Sequence, residues 1–163
     1  MDSKNKLISQ AALLFIVGPG SALLYLPYLI IKLFGLGFSA PNYFSYLAII
    51  FWLFGLYLMY KSVTAFIFIG QGTPAPFAPP QNFVSIDIYK FNRNPMYTGA
   101  LLFLLGNLIW TQVIWFFFYL CFFVLLFHLY VVWREEPKLK KKFGPSYEEY
   151  LAKVPRWLPG FKK

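Results

Sequence analysis

The charges of this chain stand far apart, and the gaps between them are apolar. No charged residue lies between Leu7 and Ile31, a run of 25 positions, where a membrane-crossing helix needs roughly 20. Gly18-Pro19-Gly20 and Pro27 predict kinks in it, which membrane helices tolerate when neighbours satisfy the freed backbone groups. Lys4 and Lys6 ahead of it and Ser21-Ala22 within it also fit a secretory signal, but apolar sequence continues well past that point and favours a span. Leu33 to Tyr60 is uncharged again. Gly35, Gly37, Pro41 and Asn42 predict a turn, and a second span follows from about Tyr43 to Ile69. Asn94 to Trp133 offers 40 residues without a formal charge, enough for two spans. Gly106-Asn107 and Thr111-Gln112 are its polar breaks, which predicts a tight helical hairpin turning near Trp110–Val113. Between the second and third spans, Gly72, Pro74, Pro76, Pro79 and Pro80 forbid a helix and predict an extended connector.

The expected fold is therefore all-α: a polytopic integral membrane protein of four transmembrane helices. Its tail adds a C-terminal cytoplasmic amphipathic helix, because Tyr147, Tyr150, Leu151 and Val154 recur at helical spacing. Residues 1–69 read as an N-terminal helix pair, and residues 70–163 as a core of connector, hairpin and tail. Ser146 and Glu149 have capping-box spacing for that last helix.

Composition agrees. The chain is 59% hydrophobic and 13% charged, against roughly 25% charged in a soluble domain. Its mean hydropathy of +0.57 excludes a soluble globular or disordered chain of this length. One cysteine, Cys121, excludes an intrachain disulfide. The net charge of +9 is unevenly placed: Arg134 to Lys163 holds nine basic and four acidic residues directly after an apolar run. That position points to anionic headgroups, with Lys140-Lys141-Lys142 facing them, and not to nucleic acid. Lys4, Lys6, Lys90, Arg93 and the tail outweigh Lys32, which places both termini and the polar loops in the cytoplasm. Lys61 either snorkels to the interface or serves as a ligand for an anionic substrate.

The chemistry-bearing residues fall in three polar clusters on that side. His128 precedes Glu135 by seven residues, so the two share a face of a regular helix; His128 is either functional or a core histidine bonded to a carbonyl. Glu135-Glu136 at the end of the last span oppose the helix dipole. Arg134 or Lys138 could compensate, or a cationic or polyhydroxyl ligand could. Asn94 can cap the third span with Pro95 as its first residue. Free backbone N–H groups there, with Arg93, would suit an anion. Arg93 sits where connector meets span, at the membrane surface, so its charge need not be buried. Gly70-x-Gly72 neither follows a strand nor opens a helix, and no phosphate loop, metal spacing or Ser/His/Asp set is present.

Taken together, Gly70-Gln71-Gly72-Thr73-Pro74-Ala75-Pro76, Arg93-Asn94-Pro95-Met96-Tyr97-Thr98-Gly99, His128, Glu135-Glu136-Pro137, Phe143-Gly144-Pro145-Ser146-Tyr147-Glu148-Glu149-Tyr150 and Val154-Pro155-Arg156 resemble the isoprenylcysteine carboxyl methyltransferase family and its prokaryotic relatives. The related phosphatidylethanolamine N-methyltransferases share the Gly-x-Gly and Glu-Glu signatures. The resemblance covers roughly Gly70 to Pro159. It implies S-adenosylmethionine as methyl donor at the cytoplasmic face, S-adenosylhomocysteine as product, and a lipophilic acceptor entering from the bilayer. Membrane lipids are then the partners, with no nucleic acid and no obligate protein partner, and the activated donor needs no metal. The resemblance places Gly70, Gly72, Asn94, Pro95, Met96, Tyr97, Gly99, His128, Glu135, Glu136 and Tyr147 around the cofactor, and makes Arg93, Tyr97 and Arg156 the catalytic set. Asn94 stands where eukaryotic prenylcysteine members commonly have His, which leaves the acceptor open. A carboxylate could be held by Arg93 or Arg156; an amine would need a carboxylate or His128 as proton acceptor. The alternatives are an NADPH-dependent membrane sterol-type reductase and a non-catalytic basic membrane scaffold.

Overall fold

The computed structural model describes residues 8–9, 13, 16–35, 37, 40–74 and 78–157. Lys4, Lys6, Ala75, Pro76, Pro159 and part of the first expected span lie outside the described residues. Those described form helices and no strand. A π-helix, Ile16–Tyr25, leads into α1 (Leu26–Leu33). A 3₁₀ turn, Tyr43–Tyr46, opens α2 (Leu47–Phe68). After the connector and a 3₁₀ turn at Asp87–Lys90 come α3 (Pro95–Thr111) and α4 (Ile114–Tyr130). A π-helical turn, Val131–Glu135, continues α4 into α5 (Glu136–Phe143), and α6 (Pro145–Lys153) follows.

Local chemistry explains the joints. Asn42 and Ser45 form a reciprocal capping box that starts the second helical run. Gln112 takes a left-handed conformation (φ 54°), donates its N–H to Leu108 O, and reverses the chain in one residue. Val113 is extended and α4 begins at Ile114. The hairpin therefore turns within the expected Trp110–Val113, while α3 runs unbroken through Gly106-Asn107.

Asn107 does something else. Its Nδ2 donates to Leu23 O at 3.0 Å and its Oδ1 accepts from Trp52 Nε1 at 2.9 Å. Tyr119 Oη donates to Ala22 O at 2.7 Å. Both carbonyls belong to the π-helix Ile16–Tyr25 and lie four and five residues before Pro27, which has no N–H to offer them. Side chains of α3 and α4 thus satisfy the backbone of the broken first helix, as an apolar surrounding requires.

Helices α2 and α3 meet backbone to backbone. A Cβ on Gly55 would lie 2.6 Å from Gly99 O, one on Gly99 2.6 Å from Gly55 O, and one on Gly106 2.6 Å from the Trp52 ring. Small residues permit this approach where lipid supplies no hydrophobic drive between helices. Leu23, Met59, Ala100, Leu104 and Phe123 form the core beside it. The outer faces carry exposed Leu53, Phe118 and Leu125. Two helical runs, Tyr43–Phe68 and Ile114–Phe143, are long and apolar enough to cross a membrane, and both are mostly exposed apolar surface; Gly20–Leu33 and Pro95–Thr111 are apolar but shorter.

Two expectations need correction. Glu135-Glu136 do not end a helix: Pro137, which lacks an N–H, follows a π turn, and the chain winds on into α5. Glu136 stands in the first turn of α5, where the dipole favours an acid. Ser146 does not cap α6. Gly144 holds the N-cap position and Pro145 the first helical one, leaving Glu149 to pair with Lys153 at 2.5 Å. The apolar face of α6 packs on protein: Tyr147, Tyr150 and Val154 are buried against Phe83, Leu139 and Phe143. Lys61 has a protein partner, Asp87, at 2.5 Å.

Candidate active site

The connector is tied down first. Gly72 N donates to Phe66 O, and Gln81 N and Asn82 N both donate to Gly70 O, so the chain returns on itself at the end of α2. A Cβ on Gly70 would meet Phe66 O at 2.7 Å, and one on Gly72 would meet Pro80 at 2.6 Å. The Gly-x-Gly pattern is what lets Pro79-Pro80 pack against the helix end. It shapes a wall and does not itself line the site.

The loop before α3 is zipped to the tail. Buried Asn92 donates to Thr98 Oγ1 at 2.6 Å and to Trp157 O at 2.5 Å, while its Oδ1 accepts from Asn94 N at 2.6 Å. Arg93 N donates to Pro155 O and Asn94 Nδ2 to Arg156 O, both at 3.0 Å. Asn94 occupies the N-cap position with Pro95 at the start of α3, but its side chain reaches the tail and makes no cap bond.

This zipper brings two arginines onto one carboxylate. Arg156 Nε and Nη2 donate to the two oxygens of Glu136 at 2.7 and 3.0 Å, a planar fork. Arg93 Nη1 lies 3.0 Å from Glu136 Oε1, an ion pair without hydrogen-bond alignment. The Arg93 side chain is only 7% exposed, against the expectation of an unburied charge, because the tail folds across it. Its Nε is buried and has no hydrogen-bond partner among the described residues.

Glu135 and Glu136 follow Trp133, where the charge-free run from Asn94 ends. Burial pushes the Glu136 carboxyl up, but the hydrogen bonds from Arg156 and the positive charges of Arg93 and Arg156 outweigh it and hold Glu136 below the ordinary carboxylate range. Arg156 is raised by the same bond. Glu135 is different. Burial pushes it up, and neither the bond from Tyr97 nor the charge of Lys138 cancels this, so it stays above the ordinary range. Tyr97 Oη donates to Glu135 Oε1 at 2.6 Å.

These groups surround a cavity of about 420 Å³, within the range of ligand sites. Thr73, Pro74, Pro79 and Pro80 of the connector form one wall, and Arg93, Asn94, Met96, Tyr97, Glu135 and Glu136 another. Phe66, Phe83, Tyr89, Tyr147 and Tyr150 add aromatic faces. Burial pushes the Tyr147 phenol up to about 12.

Of the residues singled out in the sequence, Arg93, Asn94, Met96, Tyr97, Glu135, Glu136 and Tyr147 line this cavity. Arg156 stands behind it on Glu136. Pro95 is buried at the start of α3, and Gly99 packs on Gly55. His128 accepts from Trp157 Nε1 at 3.2 Å and is not among the lining residues. The intervening π turn adds a residue to the winding, so spacing in a regular helix no longer relates His128 to Glu135. Asn92, Trp157 and Phe83 had no separate signal: an Asn beside Arg, a tail Trp and a connector Phe acquire their roles only through contacts distant in the chain.

Chemically, the cavity wall offers a buried guanidinium N–H without a partner among the described residues, a buried carboxylate for a cation or proton, and aromatic side chains for a flat ring. Among the described residues no group of three or more His, Cys, Asp or Glu is arranged to hold a metal. The family model for phospholipid methyltransferase matches residues 43–146, a stretch that takes in α2, the connector, the hairpin and the Glu pair. No curated protein and no solved structure matches the chain.

Proposed function

The chain belongs to the phospholipid methyltransferase family, which includes isoprenylcysteine carboxyl methyltransferase-like proteins, and on that premise we propose that it is an integral membrane S-adenosylmethionine-dependent methyltransferase. Its acceptor is a lipophilic molecule or lipid bearing an amine or a carboxylate. The observation that carries this reading is Arg93: a buried cation on the cavity wall whose Nε lacks a partner. Such a group is costly unless a ligand completes it, and the carboxylate of an amino-acid moiety would. Tyr89, Tyr147 and Phe83 present ring faces suited to a nucleobase and to a sulfonium. The residues present therefore fit this donor.

When bound, the donor supplies an already activated methyl group. What the chain adds is placement. Arg156 and Glu136 fix Arg93, the tail zipper fixes both, and α6 closes the cavity against water through Tyr147 and Tyr150. We further propose four crossings with both termini cytoplasmic. The α3 helix, 17 residues and so about 26 Å long, is short for a core of about 30 Å and would use its flanking turns. The fourth crossing ends at Trp133, which sets the Glu pair and the basic tail at the cytoplasmic headgroups.

Incubating native membranes with methyl-labelled S-adenosylmethionine should label a lipid or lipophilic molecule, to be identified by mass spectrometry. S-adenosylhomocysteine should raise the melting temperature of the purified protein, and NADPH should not. Stabilisation by NADPH alone would replace this reading with the reductase; stabilisation by neither would favour a scaffold.

A further inference from the structure

The single histidine of the chain, His128, is left without a part in the cavity, which it does not line. It stands in the last turn of α4, just ahead of the π turn, where Val131 N donates to both Phe127 O and His128 O. Helix carbonyls are spent on their own ladder, so an indole N–H that docks on α4 needs a side-chain lone pair. The charge-free run from Asn94 to Trp133 has few to give. His128 Nδ1 gives one: it accepts from Trp157 Nε1 at 3.2 Å, with the ring centroids 6.2 Å apart. Using that lone pair leaves the imidazole proton on Nε2.

Trp157 follows Arg156, whose fork holds Glu136. Two adjacent tail residues therefore grip one helical run, Ile114–Phe143, at two points roughly two turns apart. The loop before α3 holds the tail differently. Its three bonds all go to main-chain carbonyls: Arg93 N to Pro155 O, Asn94 Nδ2 to Arg156 O, and Asn92 Nδ2 to Trp157 O. Those bonds set where the tail runs beside the loop. The direction in which Arg156 reaches is left to the side chains, and the indole beside it is the one tied to α4.

We propose that His128 is a positioning residue for the methyl-donor site. By accepting the Trp157 indole N–H it pins the tail to α4, aims Arg156 at Glu136, and through Glu136 holds Arg93 on the cavity wall. The proposal rests on the methyltransferase reading above. The resemblance sets His128 around the cofactor; here it acts on that site from outside, through the tail. Without the bond, the half-buried indole N–H loses its partner, which is costly, and the tail keeps only the Arg156 fork as a side-chain hydrogen bond to that run.

The test uses the full chain in lipid nanodiscs, as wild type, His128→Leu, His128→Gln, Trp157→Phe and the double variant His128→Leu/Trp157→Phe. Leucine nearly matches histidine in size and has no acceptor, whereas the glutamine Oε1 can accept an N–H. Calorimetry with S-adenosylhomocysteine reads the donor site. His128→Leu should weaken binding by about three- to tenfold, the span of one hydrogen bond lost inside a membrane protein, and His128→Gln should stay within about twofold of wild type. Trp157→Phe removes the donor from the other side. It should lose as much as His128→Leu, and the double variant no more than either alone. Hydrogen exchange at the Arg93 amide, which donates to Pro155 O, reads the tail without a ligand. It should quicken in His128→Leu and Trp157→Phe and return to the wild-type rate in His128→Gln. Wild-type affinity in His128→Leu or Trp157→Phe, no recovery in His128→Gln, or losses that add in the double variant would each overturn the proposal. Wild type that binds no S-adenosylhomocysteine, with exchange at Arg93 still following this order, would overturn the methyltransferase reading and leave the tie from His128 to the tail standing.

Discussion

The apolar helical belt and the polar cap are held together by opposite means. In the belt, α2 and α3 touch through Gly55, Gly99 and Gly106, and polar side chains such as Trp52, Asn107 and Tyr119 bond to one another or to backbone. In the cap, the connector, the start of α3, the start of α5 and the tail meet at one carboxylate between two guanidinium groups. Belt contacts are many and individually weak. The cap concentrates its energy in Glu136, so a single substitution should act far more strongly there, and should remove binding together with stability.

The sharpest break is Glu136→Gln. It leaves Arg93 buried without its counter-ion, at a cost of about 3–5 kcal/mol, seen as a large fall in melting temperature and loss of stabilisation by S-adenosylhomocysteine. In wild type the sign with pH follows from the depressed carboxyl. This contribution is complete above the ordinary carboxylate pKa of about 4.3 and is lost as pH falls through the lower folded value. Thermal melts should therefore show no loss from this source between about pH 5 and 8. A melting temperature unchanged in Glu136→Gln would mean that the ion cluster does not hold the cap.

Next comes Gly55→Val, whose Cβ would lie 2.6 Å from Gly99 O. Forcing the helices apart should cost about 1–3 kcal/mol, yet protein that folds should keep its S-adenosylhomocysteine affinity. Lost affinity at normal stability would erase the division between belt and cap. Asn107→Leu removes both bonds of one belt residue and should cost about 0.6 kcal/mol, at most about 1.7, in chemical unfolding. Lys61→Met should change stability by no more than about 1 kcal/mol, because the Lys61 and Asp87 side chains are 30% and 39% exposed.

Much of the belt was legible in the sequence because lipid reads hydropathy. The second helical run, Tyr43–Phe68, lies within one residue of the span expected from the charge gap, and the turn at Gln112 falls where polar breaks interrupt the 40-residue run. The expectation of four crossings came from lengths alone, and the described helices meet the length only twice. In the cap, local pattern located the right residues and misjudged their surroundings. Glu135-Glu136 and Arg93 were picked out by motif, but the fork from Arg156 and the burial of Arg93 depend on a tail that returns from beyond α6. The π turn at Val131–Glu135 has no periodic signature, since it falls where a continuous apolar run gives way to Arg134-Glu135-Glu136. Capping by Gly144 and not Ser146 turned on one positive φ of 53°, which glycine adopts freely.

The central claim is that the Arg93 guanidinium completes a methyl-donor site. Titrating S-adenosylhomocysteine into wild type and Arg93→Lys by calorimetry tests it most directly. Lysine keeps the charge opposite Glu136 but lacks the planar fork that leaves the Nε–H unpartnered while Nη1 faces the carboxylate. We predict binding by wild type, with a near-normal melting temperature and affinity at least about tenfold weaker in Arg93→Lys, as expected for a lost charge-assisted hydrogen bond. Equal affinity in the two proteins would contradict the account and leave Arg93 as a structural counter-ion of Glu136.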